Sequence, residues 1–388
     1  MGGAAKHLMQ LYHDHDLTFE EISEIFTLAG TGRLQMFEKL DGMNIVFTWC
    51  PKTMAPKFAR NDGDIASGGM NRSQLVEKFQ GREKVESAFL ESYDALELGL
   101  RVVPIHILEK IFDSGKRWFS AEILGPINPN IIRYDSKKLV LHRVRLHSHD
   151  DSFEHAFVDL VNFLPRINKP LKQMSWQISG PSPVNLKPMD PEKLKLFKFS
   201  LSRLALSSNL SFESTVSNYT WKNVCGYLID RGMSSFAAVQ VADRIVGSKN
   251  CRNLRELKKE FKLESSLIDE VVKDDWNVFK RAQEPLAKLV DEFAMSLMRD
   301  AKSAHITDNE TEVLRLQEIT RNEIEELQKS EDPKIQEFLM EHLNLLGSPE
   351  NINTPIEGVV FTYNMKNYKF TGSFAAANRI LGYRRYGR

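Results

Sequence analysis

The sequence predicts an α+β fold, and three observations predict it. Short runs rich in β-branched and aromatic residues crowd the first 165 positions. A long stretch from about 190 to 347 carries apolar residues three and four apart, the period of amphipathic helices. After Pro355 the strand texture returns. The helical block therefore interrupts a mixed unit rather than following it. The expected boundaries are 1–165, a proline-rich connection with helical insertion at 166–350, and a short closing part at 351–388.

The elements follow in order. LTFEEISEIF opens a helix, with Thr18 and Glu21 spaced as a capping box and Leu17 able to staple onto Ile22. NIVFTW (44–49), WFSAEIL (118–124) and KLVLHRVRL (138–146) read as strands. Residues 165–191 hold six prolines, which predicts a boundary or an extended connection. DPEKLKLFKFSLSRLAL then starts a helix, with Asp190 as N-cap and Pro191 in the first helical position. EPLAKLVDEFAMSLMRDA and TEVLRLQEITRNEIEELQKS continue the helical pattern, and DPKIQEFLMEHLNLLG stops at Gly347, a C-cap candidate. IEGVVFTY and NYKFTG close the chain as strands.

Composition excludes several classes. No run approaches 18 apolar residues, so no membrane span is expected. The start, MGGAAKHLMQLYHDHDL, lacks a secretory apolar region, and Lys6 occupies the place a myristoylation signal gives to Ser or Thr. Three scattered cysteines argue against a disulfide framework or cysteine zinc site and suit a reducing cytoplasm. Net charge is zero, yet from Gly358 to Arg388 there is no acidic residue and six lysines or arginines. A basic end on a neutral chain suits a site that holds phosphates. HDHD (13–16) and HSHDD (147–151) resemble metal clusters but lack a third converging ligand, so solvated turns are expected. AGTGR (29–33) has too few glycines, and no Lys-Ser, for a phosphate-binding loop.

Lys39-Leu40-Asp41-Gly42 precedes the first strand-like run. Alone it is an Asp-Gly turn beside a lysine. Its ordered company changes its standing. Arg60 ends a short strand in KFARNDGDI, Glu122 lies on the strand of RWFSAEILGP, Glu357 opens the strand of PIEGVVF, and NMKNYKFTG supplies Lys366 and Lys369. This series resembles the motifs of the covalent nucleotidyltransferases, the superfamily of ATP-dependent polynucleotide ligases and messenger-RNA capping enzymes. Within it the RNA ligases of bacteriophages and related viruses are most similar.

The resemblance covers about 37–146 and 355–372 and leaves 165–350 unaccounted for. It implies a nucleotidyltransferase domain of ATP-grasp-like antiparallel sheets with flanking helices, interrupted by a large all-α insertion. It implies that no C-terminal OB domain follows, because few residues remain after Lys369. It also implies ATP, Mg²⁺ or Mn²⁺, and a nucleic-acid partner, RNA ends ahead of DNA nicks, in the cytoplasm of a bacterial or virus-infected cell. Lys39 would be the nucleophile. Glu38, Asp41, Gly42, Asn44, Arg60, Glu122, His142, Glu357, Lys366 and Lys369 would surround the nucleotide, with Glu357 as metal ligand. The family's fifth motif is usually Lys-x-Lys. Here Lys369 has a threonine two residues on and Lys366 three before, so its phosphate partners stay open between Lys366 and Thr371. A lysine must be neutral to attack phosphorus, and nearby positive charge is expected to favour that form. The alternatives are a minimal DNA nick ligase, a guanylyltransferase, or a non-catalytic nucleic-acid-binding homologue.

Overall fold

The computed structural model describes residues 8–126, 130–142, 152–247 and 253–386. The chain is α+β with mixed sheets and many helices. Among the described residues eight strands form: β1 (Met36–Lys39), β2 (Met43–Cys50), β3 (Ala55–Ala59), β4 (Phe119–Leu124), β5 (Lys137–His142), β6 (Trp176–Ser179), β7 (Gly358–Tyr363) and β8 (Lys366–Thr371). They make a three-stranded sheet, β1-β7-β8, and a five-stranded sheet, β3-β2-β4-β5-β6. Every pair is antiparallel except β5–β6.

Side-chain alternation gives the five-stranded sheet two unlike faces. Met43, Ile45, Phe47 and Trp49 of β2, Phe119 and Ala121 of β4, and Leu139 and Leu141 of β5 enter one apolar core. Helices cover that face. The short α1 (Phe19–Gly30) belongs elsewhere; α2 (Asp62–Ala66) and α3 (Arg72–Phe79) lead into α4 (Glu83–Leu100), α5 (Ile105–Phe112) and α6 (Ser152–Leu171). Phe89, Tyr93 and Leu96 of α4 and Phe157, Leu160 and Ile167 of α6 supply the facing apolar stripes. The other face carries Asn44, Ser120, Glu122 and His142, and it looks towards the three-stranded sheet.

The proline-rich stretch needs correction. Pro165 and Pro170 lie inside α6, not in a connection. A proline within a helix removes a hydrogen bond and strains the preceding turn. Here the buried stripe from Phe153 to Leu171 keeps the helix continuous. The helix also provides the crossover that the parallel β5–β6 pair requires. Only after β6 does the chain run extended. Val184 N–H donates to the Met36 carbonyl at 2.9 Å, and Glu38 N–H to the Ser182 carbonyl at 2.9 Å, so this segment lies along the free edge of β1.

The block 190–347 holds α7 (Pro191–Ser207), α8 (Val216–Asp230), α9 (Ser235–Ile245), α10 (Leu254–Glu260), α11 (Ser265–Lys273), α12 (Asp275–Leu297), α13 (Asn309–Gln328) and α14 (Pro333–Leu346). The expected caps form: Thr18 and Glu21 make the capping box of α1, Asp190 caps α7, and Gly347 ends α14 at φ 74°. The block is not one independent insertion, however. Leu194 and Leu201 of α7 and Leu286, Val290 and Phe293 of α12 share a core with α1, Val359 of β7 and Phe370 of β8. Leu316 of α13 and Leu339 of α14 pack with Leu40, Tyr134, Val140 and the last helix, α15 (Phe374–Tyr386). Residues of α8 to α11, with the start of α12, enclose a core of their own.

Candidate active site

β1 belongs to one sheet and β2 to the other, so the chain crosses between sheets at Leu40-Asp41-Gly42. Gly42 permits that crossing. A Cβ there would stand 2.6 Å from the Glu122 Cγ and 2.9 Å from the Ile123 carbonyl. Asp41 is a clamp. Its carboxylate accepts from Ile131 N–H at 2.9 Å and Ile132 N–H at 3.0 Å. Its own N–H donates to the Tyr134 hydroxyl at 2.8 Å, and its carbonyl accepts from the Asn130 side chain. Burial first, then Glu357, pushes the Asp41 carboxyl up to about 6.

Lys39 ends β1 opposite Gly358 of β7. Its Nζ lies 2.5 Å from Glu357 Oε2, with the two side chains 21% and 20% exposed. The site is thus reachable without being open. Gly358 allows the strands to meet, since a Cβ would collide with the Phe370 carbonyl. Glu122 comes from β4, beside Asn44 of β2. Burial pushes its carboxyl up to about 8, opposed by Lys39 and reinforced by Glu357 and Asp41. Its Oε2 is buried without a hydrogen-bond partner, as is Oδ1 of Asn44, whose Nδ2 donates to Ser120 Oγ at 3.3 Å. Two orphaned acceptors beside a lysine suit a ligand that donates hydrogen bonds.

His142 pairs with Ser120 across β4–β5. Burial, with Lys39 adding, lowers its imidazole to about 4, so it is neutral. Arg60 follows β3 and lies 5.1 Å over the Phe89 ring. Burial lowers its pKa and Glu122 raises it, which places the guanidinium within electrostatic reach of the carboxylate. Lys369 of β8 is lowered by burial and then by Lys39. Lys39, Asp41, Gly42, Asn44, Arg60, Glu122, His142, Glu357 and Lys369 are thereby brought together from opposite ends of the chain.

Two expected members are placed differently. On β8, Lys369 and Thr371 share one face, while Lys366 takes the other with Tyr368 and Phe370. Lys366 pairs with Asp14 at 2.9 Å, and the Thr371 hydroxyl accepts from Gln10 Nε2 at 2.9 Å. Glu38 alternates with Lys39 on β1 and is 4% exposed. Its carboxylate accepts from Ser303 Oγ at 2.6 Å and Ala304 N–H at 3.0 Å. Its backbone N–H is taken by Ser182, so Glu38 ties segments together instead of facing the nucleophile. Burial pushes this carboxyl up to about 7 despite those two bonds.

The state of Lys39 also differs from expectation. Burial acts to lower its pKa, but Glu357 and then Glu122 and Asp41 outweigh it, and the amine is held above the ordinary lysine value. The carboxylates, not Lys369, dominate its surroundings. Sequence reasoning missed the loop bearing Asn130 and Tyr134, the Ser303–Ala304 turn that holds Glu38, and Ser120. None carries a local signal, because each acts through contacts distant in sequence.

Among the described residues no three His, Cys, Asp or Glu side chains gather as for a metal ion. HDHD does not form such a group, and HSHDD lies outside the described residues. A Mg²⁺ ion held by one or two carboxylates together with substrate phosphates needs no such cage. Glu357 fits that donor set. Among the described residues no helix is long and apolar enough to cross a membrane. No family model, no curated protein and no solved structure matches this chain.

Proposed function

We propose that this protein is an ATP-dependent RNA ligase that joins 5′-phosphate and 3′-hydroxyl ends through a lysine–AMP adduct on Lys39. The observation that carries the reading is the amine of Lys39 set among Glu357, Glu122 and Asp41, with Lys369 adjoining. Lys39 Nζ gives up a proton, for which Glu357 Oε2 is the nearest acceptor at 2.5 Å. The freed nitrogen pair attacks the α-phosphorus of ATP, and the bond to pyrophosphate breaks. The AMP then passes to a 5′-phosphate, and a 3′-hydroxyl displaces it. Phosphoryl transfer of this kind depends on positioning and charge neutralisation more than on acid–base groups. Lys369 and Thr371 supply positive charge and a hydroxyl for the phosphate, Arg60 supplies planar donors, and Glu122 and Asn44 accept from ribose or base. Glu357 would hold Mg²⁺ or Mn²⁺, which would supply charge neutralisation at the phosphate oxygens.

Incubation with α-labelled ATP and Mg²⁺, followed by denaturing electrophoresis, tests this. The expected result is an acid-labile label of AMP size on the wild type and none on Lys39→Ala. Absence of label across metals and pH, or label kept by Lys39→Ala, refutes the proposal. Joining of 5′-phosphorylated RNA ahead of DNA nicks is expected, and sealing of DNA alone would transfer the reading to a DNA ligase.

A further inference from the structure

The α8–α12 lobe carries a feature the ligase chemistry does not use. Trp276, in the first turn of α12, is 61% exposed. Its ring stacks on Phe279 at 6.0 Å between centroids and 9° between planes, and Phe279 stacks on His15 at 5.8 Å and 27°. His15 and Trp276 are both exposed. A tryptophan left in water on a stack of parallel rings forgoes the burial that usually stabilises it. An exposed ring of this kind is what a nucleic-acid base stacks on. Lys280 sits 5.7 Å over the Trp276 ring, and Arg281 beside it is exposed, so cations flank the rings. Of the nearby acids, Asp274 accepts from Asn277 at 2.6 Å, Asp14 is taken by Lys366 and Tyr368, and Asp275 and Asp16 remain exposed.

The helix that carries the rings packs against β8, the strand of Lys369, at its other end. Trp276, Phe279, Gln283, Ala287 and Asp291 recur at spacings of three and four and so share one face of α12, exposed at Trp276 and buried at Gln283. That face spans about 22 Å at 1.5 Å per residue. Gln283 Nε2 donates to the Tyr12 carbonyl at 2.9 Å, which holds the His13–His15 segment against the helix. Asp291, at the far end, is within electrostatic reach of Arg379 and Lys369, and Lys369 adjoins Lys39.

We propose that the His15–Phe279–Trp276 stack is a binding platform for a single-stranded polynucleotide, the substrate class of the proposed ligation. The platform rests on the ligase reading for its role, but its binding is measurable without ligation. Stacking reads the face of a base, which RNA and DNA share, so both are expected to bind. The sugar preference of the reaction then arises at the Lys39 site.

The test uses the full chain and a fluorescent, 5′-phosphorylated single strand, as RNA and as DNA, followed by anisotropy. Trp276→Ala and Phe279→Ala should each weaken binding about tenfold, the worth of one lost base stack. Trp276→Phe should keep most of the affinity, and labelling by ATP alone should be unchanged in all three. Equal loss in Trp276→Phe and Trp276→Ala would remove stacking as the cause and overturn the platform. So would wild-type binding in Trp276→Ala, which would assign the surface to another kind of partner, or no binding of either strand by the wild type. An unlabelled Lys39 combined with Trp276-dependent binding would sink the ligase reading and leave the platform standing.

Discussion

Lys39 and Glu357 form an ion pair that the family resemblance alone would not suggest. A nucleophilic lysine was expected to sit among cations, yet carboxylates hold it protonated. The raised carboxyls nearby have a consequence for stability. Glu38 and Glu122 keep their protons in the folded chain up to about 7 and about 8, against an ordinary value of 4.5. An acid whose folded pKa is raised contributes stability below the unfolded pKa, and that contribution is lost as pH rises through the folded one. Tm is therefore expected to fall as pH is raised from 4.5 to about 8, and Glu38→Gln, which cannot ionise, should flatten the decline. A Tm rising over that window would contradict the assignment. Gly358 gives a sharper test. Gly358→Ala forces a Cβ onto the Phe370 carbonyl, so a loss of about 1–3 kcal/mol or more is expected in denaturant titration. ATP labelling should fall with it, because Glu357 is the adjoining residue.

At the scale of elements, alternation separates two lysines that motif spacing left together. Lys366 and Lys369 differ by an odd number of positions on β8, so a strand must send them to opposite faces. Lys366→Ala is accordingly expected to leave ATP labelling nearly intact while loosening the Asp14 segment, whereas Lys369→Ala should reduce labelling by at least about tenfold. Equal effects in a gel assay would place both lysines at the phosphate. The helix α6 shows the opposite relation between local and tertiary signals. Its prolines argue for a break, and the apolar stripe overrides them. Pro165 is exposed and mid-helix, so Pro165→Ala should stabilise the chain by up to about 3 kcal/mol, read as a higher Tm. A lower Tm would mean that the ring itself packs in a way the helix needs.

At the scale of the molecule, the two sheets and the helical block are interdependent. β7 and β8 complete the sheet that β1 begins, and Phe370 shares a core with α1, α7 and α12. A chain ended after residue 350 lacks Glu357 and Lys369 and leaves that core uncovered. It should elute as an aggregate in gel filtration and take no label from ATP. A folded, labelled monomer would show that the first block suffices.

Much of this was legible in the residues themselves. Strand and helix identity, the caps at Thr18, Asp190 and Gly347, and the candidates Lys39, Glu122, Glu357 and Lys369 all rest on local pattern: periodicity, hydrogen-bonding side chains at helix ends, and short motifs in order. The tertiary structure decided the rest. It kept α6 whole, because burying one face against a sheet outweighs two missing hydrogen bonds. It divided 190–347 among shared cores, because an amphipathic stripe shows that a face is covered but not by what. It turned Glu38 towards Ser303 and Lys366 towards Asp14, because a strand residue's partner is set by the element packed against its face. And it gave Lys39 an anionic neighbourhood, because the electrostatics of a buried amine depend on distances between residues that the sequence holds far apart.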